Sequence, residues 1–204
     1  MGLFITCEGG EGAGKTTLLQ LLEDKCKENH LPYIRTREPG GTEVGESIRS
    51  ILLHHKGFVS NRTELALFLA SRAQHVEEKI LPALKQDKIV LCDRFSDSSI
   101  AYQGMARDFG MERVEDLCLF FTNSLNPDIT FYLDIDPKVG FERIRKKSQD
   151  RMETQSLEFH QKVREGFHLL AKKYPSRFCT IDATLSKEQI FAIAWNVITK
   201  RLAC

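Results

Sequence analysis

The chain has 204 residues, enough for one domain with a sizeable core. Hydrophobic residues make up 42% and charged residues 28%, the balance of an ordinary globular protein, and a formal net charge of +1 provides no global field for DNA, RNA or an anionic membrane. Six cysteines, none in a Cys-x-x-Cys pair, argue against a zinc or redox motif and read as small hydrophobes in a reducing cytosol, with Cys204 an exposed thiol.

Taken in chain order, Leu3 to Cys7 is a short apolar run that predicts a buried strand. The start Met1-Gly2-Leu3-Phe4-Ile5-Thr6 matches an N-myristoylation pattern, but a buried strand so near the end leaves no accessible acceptor. No apolar run of 18 residues and no basic-then-apolar leader is present, so no membrane span or secretory signal is expected. A glycine stretch follows, then a helix from Lys15 to Glu28 with Leu18, Leu19, Leu21 and Leu22 on its apolar face. Pro32 to Thr36 reads as a second strand, and a helix is expected to start after Thr42 and run to about His54. Asn61 with Glu64 has the spacing of a capping box opening a long helix to about Lys85. "KIVLCD" and "DITFYLDI" are further strands, and Asp136-Pro137 fits an N-cap followed by proline. One charged helical stretch is expected from Lys138 to Lys173, then the strand "RFCTID" and a helix capped by Ser186 with Gln189. Uninterrupted apolar strands alternating with helices predict an α/β fold, a parallel sheet covered on both faces, in a single domain spanning 1–204.

The glycine stretch has a specific use. Gly9, Gly10, Glu11, Gly12, Ala13, Gly14, Lys15, Thr16 and Thr17 match the Gly-x4-Gly-Lys-Thr phosphate-binding loop, with a strand before and a helix after. Bare backbone lets successive N–H groups face a triphosphate, and the helix N-terminus adds partial positive charge. Lys15 reaches the β and γ phosphates, and the Thr16 hydroxyl is a ligand for Mg²⁺. The "IVLCD" strand ends in Asp93-Arg94: the acid can hold Mg²⁺ through water, and the arginine beside it points to a second anion. Neither an Asp-x-x-Gly nor an Asn-Lys-x-Asp of a GTPase switch is found. Two readings stay open on these residues: a kinase with a small phosphorylated acceptor, and an ATPase or switch without one.

The motifs "EGGEGAGKTT", "TREPGGT", "RSILL", "LFLASRAQH", "DRFSDSSIAYQG", "DRMETQSLEF" and "TIDATLSKEQ" occur in that order over essentially the whole chain. In these the sequence resembles bacterial thymidylate kinases. The resemblance implies a nucleoside monophosphate kinase fold with a five-stranded parallel sheet and a mobile lid, approximately 138–154. It also implies ATP-dependent phosphorylation of dTMP to dTDP and a homodimer, which joins the Mg²⁺ expected from Thr16 and Asp93, the cytoplasmic setting expected from the cysteines, and the absence of a nucleic-acid or membrane partner expected from charge and hydropathy. Another nucleotide or deoxynucleoside kinase of the same fold is the alternative. Carried onto these positions, Glu11 lies near the dTMP sugar and phosphate, and Glu38 and Pro39 form part of the monophosphate site. Arg49 and Arg94 match the arginines on the dTMP phosphate. Phe68 matches the ring that stacks on thymine, Arg72 the donor to its exocyclic oxygen, and Ser99, Tyr102 and Gln103 line base and sugar.

Phe68 and Arg72, four apart on one predicted helix, share a face. His75 reads as structural and His54-His55 as a solvated helix end. The loop carries no basic side chain besides Lys15, so the charge of a phosphoryl transition state must be met from elsewhere. Arg151 is the expected transition-state arginine, with Arg143 and Arg145 as assistants, while Lys146 and Lys147 read as solvated.

Overall fold

The computed structural model describes residues 2–144 and 151–203. Five parallel strands form one sheet in the order β2-β3-β1-β4-β5, the all-parallel sheet that the uninterrupted apolar runs predict. The chain enters through β1 (Leu3–Gly9), buried along its whole length in the middle of the sheet. It continues through α1 (Lys15–Glu28), β2 (Tyr33–Arg37) and α2 (Glu43–His54), whose first turn is capped by the Thr42 side chain.

Next is α3 (Asn61–His75), and here the expected cap is corrected. Ser60 accepts from the Thr63 N–H, whereas Glu64 is fully buried and does not reach back to the cap. The predicted helix to Lys85 contains a π-helical turn, Val76–Ile80, before α4 (Leu81–Lys85). Pro82 has no N–H and its ring crowds the preceding turn; the backbone widens there, and the Leu81 N–H bonds to the Val76 carbonyl.

After β3 (Ile89–Asp93) the chain forms α5 (Ser96–Ser99), a π-helical stretch Ile100–Ala106, and α6 (Met111–Phe121). None of these segments is among the elements expected from sequence, although Met111, Val114, Leu117, Cys118 and Phe121 of α6 recur at helical spacing. Ser96, Asp97, Ser98 and Ser99 are poor helix formers, yet all are buried, so tertiary packing decides their conformation. β4 (Ile129–Asp134) leads to α7 (Pro137–Ile144), opened by the Asp136 carboxylate on the Lys138 N–H. The single charged helix expected to Lys173 is also corrected. Residues 151–154 turn, and α8 (Leu157–Lys173) starts afresh with Ser156 as its cap. Of the expected lid, Arg145, Lys146 and Lys147 lie outside the described residues, as does Cys204. β5 (Phe178–Asp182) and α9 (Lys187–Leu202) close the fold, α9 with the capping box predicted from Ser186 and Gln189.

One face of the sheet packs Leu91 and Phe131 against Leu19 and Leu22 of α1 and Ala194 of α9. The other packs Phe4, Val90 and Phe95 beneath Val76 and Ile80. A further cluster, Leu65, Leu69, Tyr102, Val163 and Phe167, ties α3 and α8 to the π-helical stretch after α5. The strand C-termini are left at one edge, and Asp93 stands beside Cys7 in register. That edge is where an open parallel sheet binds ligands.

Candidate functional site

The loop after β1 is built mainly of backbone. Gly14, at φ 95°, opens α1 in a left-handed conformation that only glycine adopts at no cost, and no side-chain cap or first-turn acid occupies the helix N-terminus. The first-turn N–H groups and the helix dipole therefore favour an anion. A Cβ on Gly12 would lie 2.1 Å from the Gly140 carbonyl oxygen, so the loop and α7 touch through bare backbone. Lys15 Nζ donates to the Gly9 and Gly10 carbonyls at 3.0 and 2.8 Å. Burial, with Arg94 nearby, holds its ammonium below the usual lysine range, although Glu11 and Asp93 oppose the shift. Thr16 Oγ1 donates to Asp93 Oδ2 at 3.3 Å, placing two hard oxygen donors at the helix N-terminus.

Across from this loop lies a second polar surface, and both line one cleft of about 430 Å³. Loop residues 11–17 form one wall; Glu38, Pro39, Arg49, Phe68, Arg72, Arg94, Ser99, Tyr102 and Gln103 line the rest together with Asp93. The candidates taken from sequence are thus gathered in one place, with three exceptions in the described part. Gly9 and Gly10 do not line the cleft and serve it through their carbonyls on Lys15. Arg151 is also absent from the lining. Its Nε donates to the Leu52 carbonyl at 2.9 Å and its Nη1 pairs with Glu64 at 2.7 Å. Arg143 does reach the cleft, donating to the Gly12 and Ala183 carbonyls at 3.4 and 3.0 Å.

Arg94 connects the two surfaces. It has a left-handed backbone, φ 68°, uncommon for a residue other than glycine, and its N–H bonds to the Cys7 carbonyl. Its guanidinium donates to Glu11 Oε1 at 2.6 Å and to Ser98 Oγ at 3.2 Å, and lies over the Tyr102 ring. Burial would raise the Glu11 carboxyl, but Arg94, Lys15 and the Tyr102 hydroxyl outweigh it and hold Glu11 below its ordinary range. Glu8, beneath the site, accepts from the Phe95 N–H at 2.7 Å and lies 2.6 Å from Ser98 Oγ. Burial, reinforced by nearby Asp97, pushes its pKa up to about 8.

Phe68 is half-buried at the cleft while Leu65 and Leu69 point into the core, so one helix serves both purposes. Arg72 is fixed by several bonds. Nε pairs with Glu38 at 2.7 Å, Nη1 donates to Ser99 Oγ at 3.0 Å, and Nη2 donates to the Phe95 carbonyl at 3.0 Å. His75 is buried, as a structural residue should be. It bridges Glu38 Oε1 at 3.0 Å and Thr36 Oγ1 at 2.6 Å, and so holds the carboxylate that orients Arg72. His54 and His55 are exposed. Glu8, Ser98 and the supporting role of His75 carry no local sequence signal; only their packing reveals them.

A family model described as Thymidylate kinase matches residues 7–192. The chain is 45% identical over 194 residues to a thymidylate kinase of Clostridium novyi, covering 93% of this chain and 95% of that one. It is 46% identical over 208 residues to a thymidylate kinase of Halalkalibacterium halodurans, covering 99% and 98%. The crystal structure of a thymidylate kinase from Ehrlichia chaffeensis superposes with a TM-score of 0.77 at 35% identity, covering 97% of this chain and 98% of that one.

Proposed function

The chain belongs to the thymidylate kinase family, whose reaction is the ATP-dependent phosphorylation of dTMP to dTDP, and from that premise we propose how its own residues divide the work. The observation that carries the assignment is the cleft itself, in which a triphosphate loop faces the arginines 49, 72 and 94. Lys15, the loop N–H groups and the α1 dipole hold the β and γ phosphates of ATP. Arg94 and Arg49 hold the dTMP phosphate, with Glu11 and Ser98 fixing Arg94 in place. Phe68 stacks on thymine, Arg72 donates to its exocyclic oxygen, and Ser99, Tyr102 and Gln103 enclose base and sugar.

A dTMP phosphate oxygen attacks the γ phosphorus in line; the new P–O bond forms as the bond to the bridging oxygen breaks, and ADP leaves. A phosphate monoester is largely dianionic near neutral pH, so the acceptor needs no strong base. Catalysis is then positional and electrostatic. Thr16 and Asp93 are the oxygen ligands that would hold Mg²⁺, the hydroxyl directly and the carboxylate through water. When bound, the ion neutralises charge on the β and γ oxygens. Of the two described lid arginines, Arg143 is nearer to this role, since it already borders the loop at Gly12. Arg151 joins only by leaving Glu64 and Leu52. A homodimer in the cytoplasm completes the proposal. It is supported by exposed Val44 and Ile51 on α2 and Phe120 on α6, and by free cysteines among the described residues.

ADP formation with Mg·ATP and a panel of nucleoside monophosphates tests the reading. Turnover is expected to depend on dTMP. One methyl in an apolar pocket is worth only about 10- to 200-fold, so dUMP is expected that far behind in kcat/KM. For dCMP, whose amino group would face the Arg72 donor, the expected deficit is about 10⁴-fold. ATP hydrolysis indifferent to dTMP, or a purine monophosphate used equally well, would overturn the assignment.

A further inference from the structure

Glu64 is fully buried at the back of the acceptor half of the cleft. Its carboxylate collects four N–H donors. Oε1 accepts from Gln103 Nε2 at 2.9 Å and Arg107 Nε at 3.3 Å; Oε2 accepts from Arg107 Nη2 at 3.2 Å and Arg151 Nη1 at 2.7 Å. A carboxylate paired with two guanidiniums only accepts hydrogen bonds. The end of the Gln103 amide that faces it must therefore be the NH₂ group. The choice between oxygen and nitrogen follows from chemistry, not from atom labels. The other end, Oε1, has no hydrogen-bond partner among the described residues and is not sealed from the cleft, which Gln103 lines.

We propose that Glu64 is a positioning residue for base selection: by locking the Gln103 amide, it presents a hydrogen-bond acceptor to the base. In the same cleft, Arg72 presents a donor, itself locked by Glu38, Ser99 and the Phe95 carbonyl. A donor and an acceptor lining one cleft match the exocyclic oxygen and ring N–H of thymine or uracil. Cytosine offers an amino group and a bare ring nitrogen, the reverse at both positions. The cleft thus reads one edge twice, and each reader is held by a buried carboxylate. The inference rests on the thymidylate reading of the cleft.

The test exploits what happens when Glu64 becomes glutamine. With its oxygen toward Gln103, its NH₂ group would confront two donors, one of them on Arg151, at 2.7 Å in the native pair. With its oxygen toward the arginines, it would confront only Arg107 Nε, at the longer 3.3 Å, and Gln103 must turn over. Glu64→Gln therefore favours an NH₂ group facing the base. Selectivity, the ratio of kcat/KM for dTMP to that for dCMP, is expected to fall by about tenfold or more, mostly through KM for dTMP. Gln103→Ala, which keeps Glu64 and both arginines, is expected to lower the same ratio even if Glu64→Gln proves unstable. Adding Glu64→Gln to Gln103→Ala is expected to change selectivity no further. If the wild-type protein prefers dTMP but either single variant keeps the full ratio, the inference fails while the thymidylate reading stands. If the wild-type protein shows no preference for dTMP, the reading itself fails.

Discussion

The two halves of the cleft are built by different means. The donor half is one continuous segment, residues 9–17, whose working groups are mostly backbone N–H and the end of a helix. The acceptor half is a set of side chains from separate elements, each held by a partner: Arg72 by buried Glu38, Glu38 by buried His75, Gln103 by buried Glu64, and Arg94 by half-buried Glu11. A phosphate needs only positive potential and N–H groups, which any strand-to-helix loop of the right shape supplies. A base needs donors and acceptors at fixed angles, and a long side chain holds an angle only when a second group fixes it.

The sharpest test of that division is Lys15→Ala. It removes the one side-chain cation of the donor loop and is expected to lower kcat by roughly 10³- to 10⁵-fold, on the scale of a lost phosphate-clamping cation. The acceptor half has its own anchors, so calorimetric affinity for dTMP is expected to stay within a few-fold. Near-normal turnover would remove the phosphate-loop reading; a large loss of dTMP affinity would blur the two halves into one.

A smaller effect is expected from the lid. Loss of one positioned donor in the transition state costs about 10²–10³ in rate, seen in kcat more than in KM. Arg143→Ala is expected to show that loss because Arg143 borders the loop. Arg151→Ala is expected to show it only if closure takes Arg151 from Glu64, and comparing the two variants decides between them. No loss in either would leave the lid without a catalytic arginine among the described residues.

The smallest effect is expected where the halves meet, at Glu8. Its carboxyl titrates at about 8 instead of the ordinary 4.5, first because it is buried and then because Asp97 is near. Between those two values the folded chain keeps a proton that the unfolded chain releases. This contribution to stability is complete below pH 4.5 and is lost as pH rises through about 8. Glu8→Gln keeps the neutral shape and can donate to Ser98. Neutral-pH activity is expected within a few-fold of wild type, with a shallower fall of the urea midpoint between pH 5 and 8. An unchanged pH slope would show that Glu8 is already ionised in the folded chain.

Sequence reading and structure agree where the information is local. The phosphate loop is contiguous, and its glycines, lysine and threonine follow one another at fixed spacing. The capped start of α9 and the buried apolar strands β1, β3 and β4 are local in the same sense. Phe68 and Arg72, four apart on one helix, needed the family resemblance to be told from core, and the structure turns both to the cleft.

Glu64 shows where local reading ends. Three residues after Asn61 it has the spacing of a capping partner, yet Ser60 caps the helix and Glu64 lies buried against Gln103, Arg107 and Arg151. Arg151 fits a catalytic motif by position, yet spends its guanidinium on Glu64 and the Leu52 carbonyl. The short helix of Ser96 to Ser99 has no propensity to announce it and forms because the core encloses it. By itself the sequence determined the alternation of strands and helices, the triphosphate loop and the types of side chain available to an acceptor. Only the tertiary structure decided which arginine borders the loop, which carboxylate holds which donor, and which end of Gln103 is left toward the cleft. An ion pair such as Arg94 with Glu11, 83 residues apart, leaves no pattern in the sequence near either partner. Its geometry exists only once packing has excluded the water that would otherwise satisfy both charges.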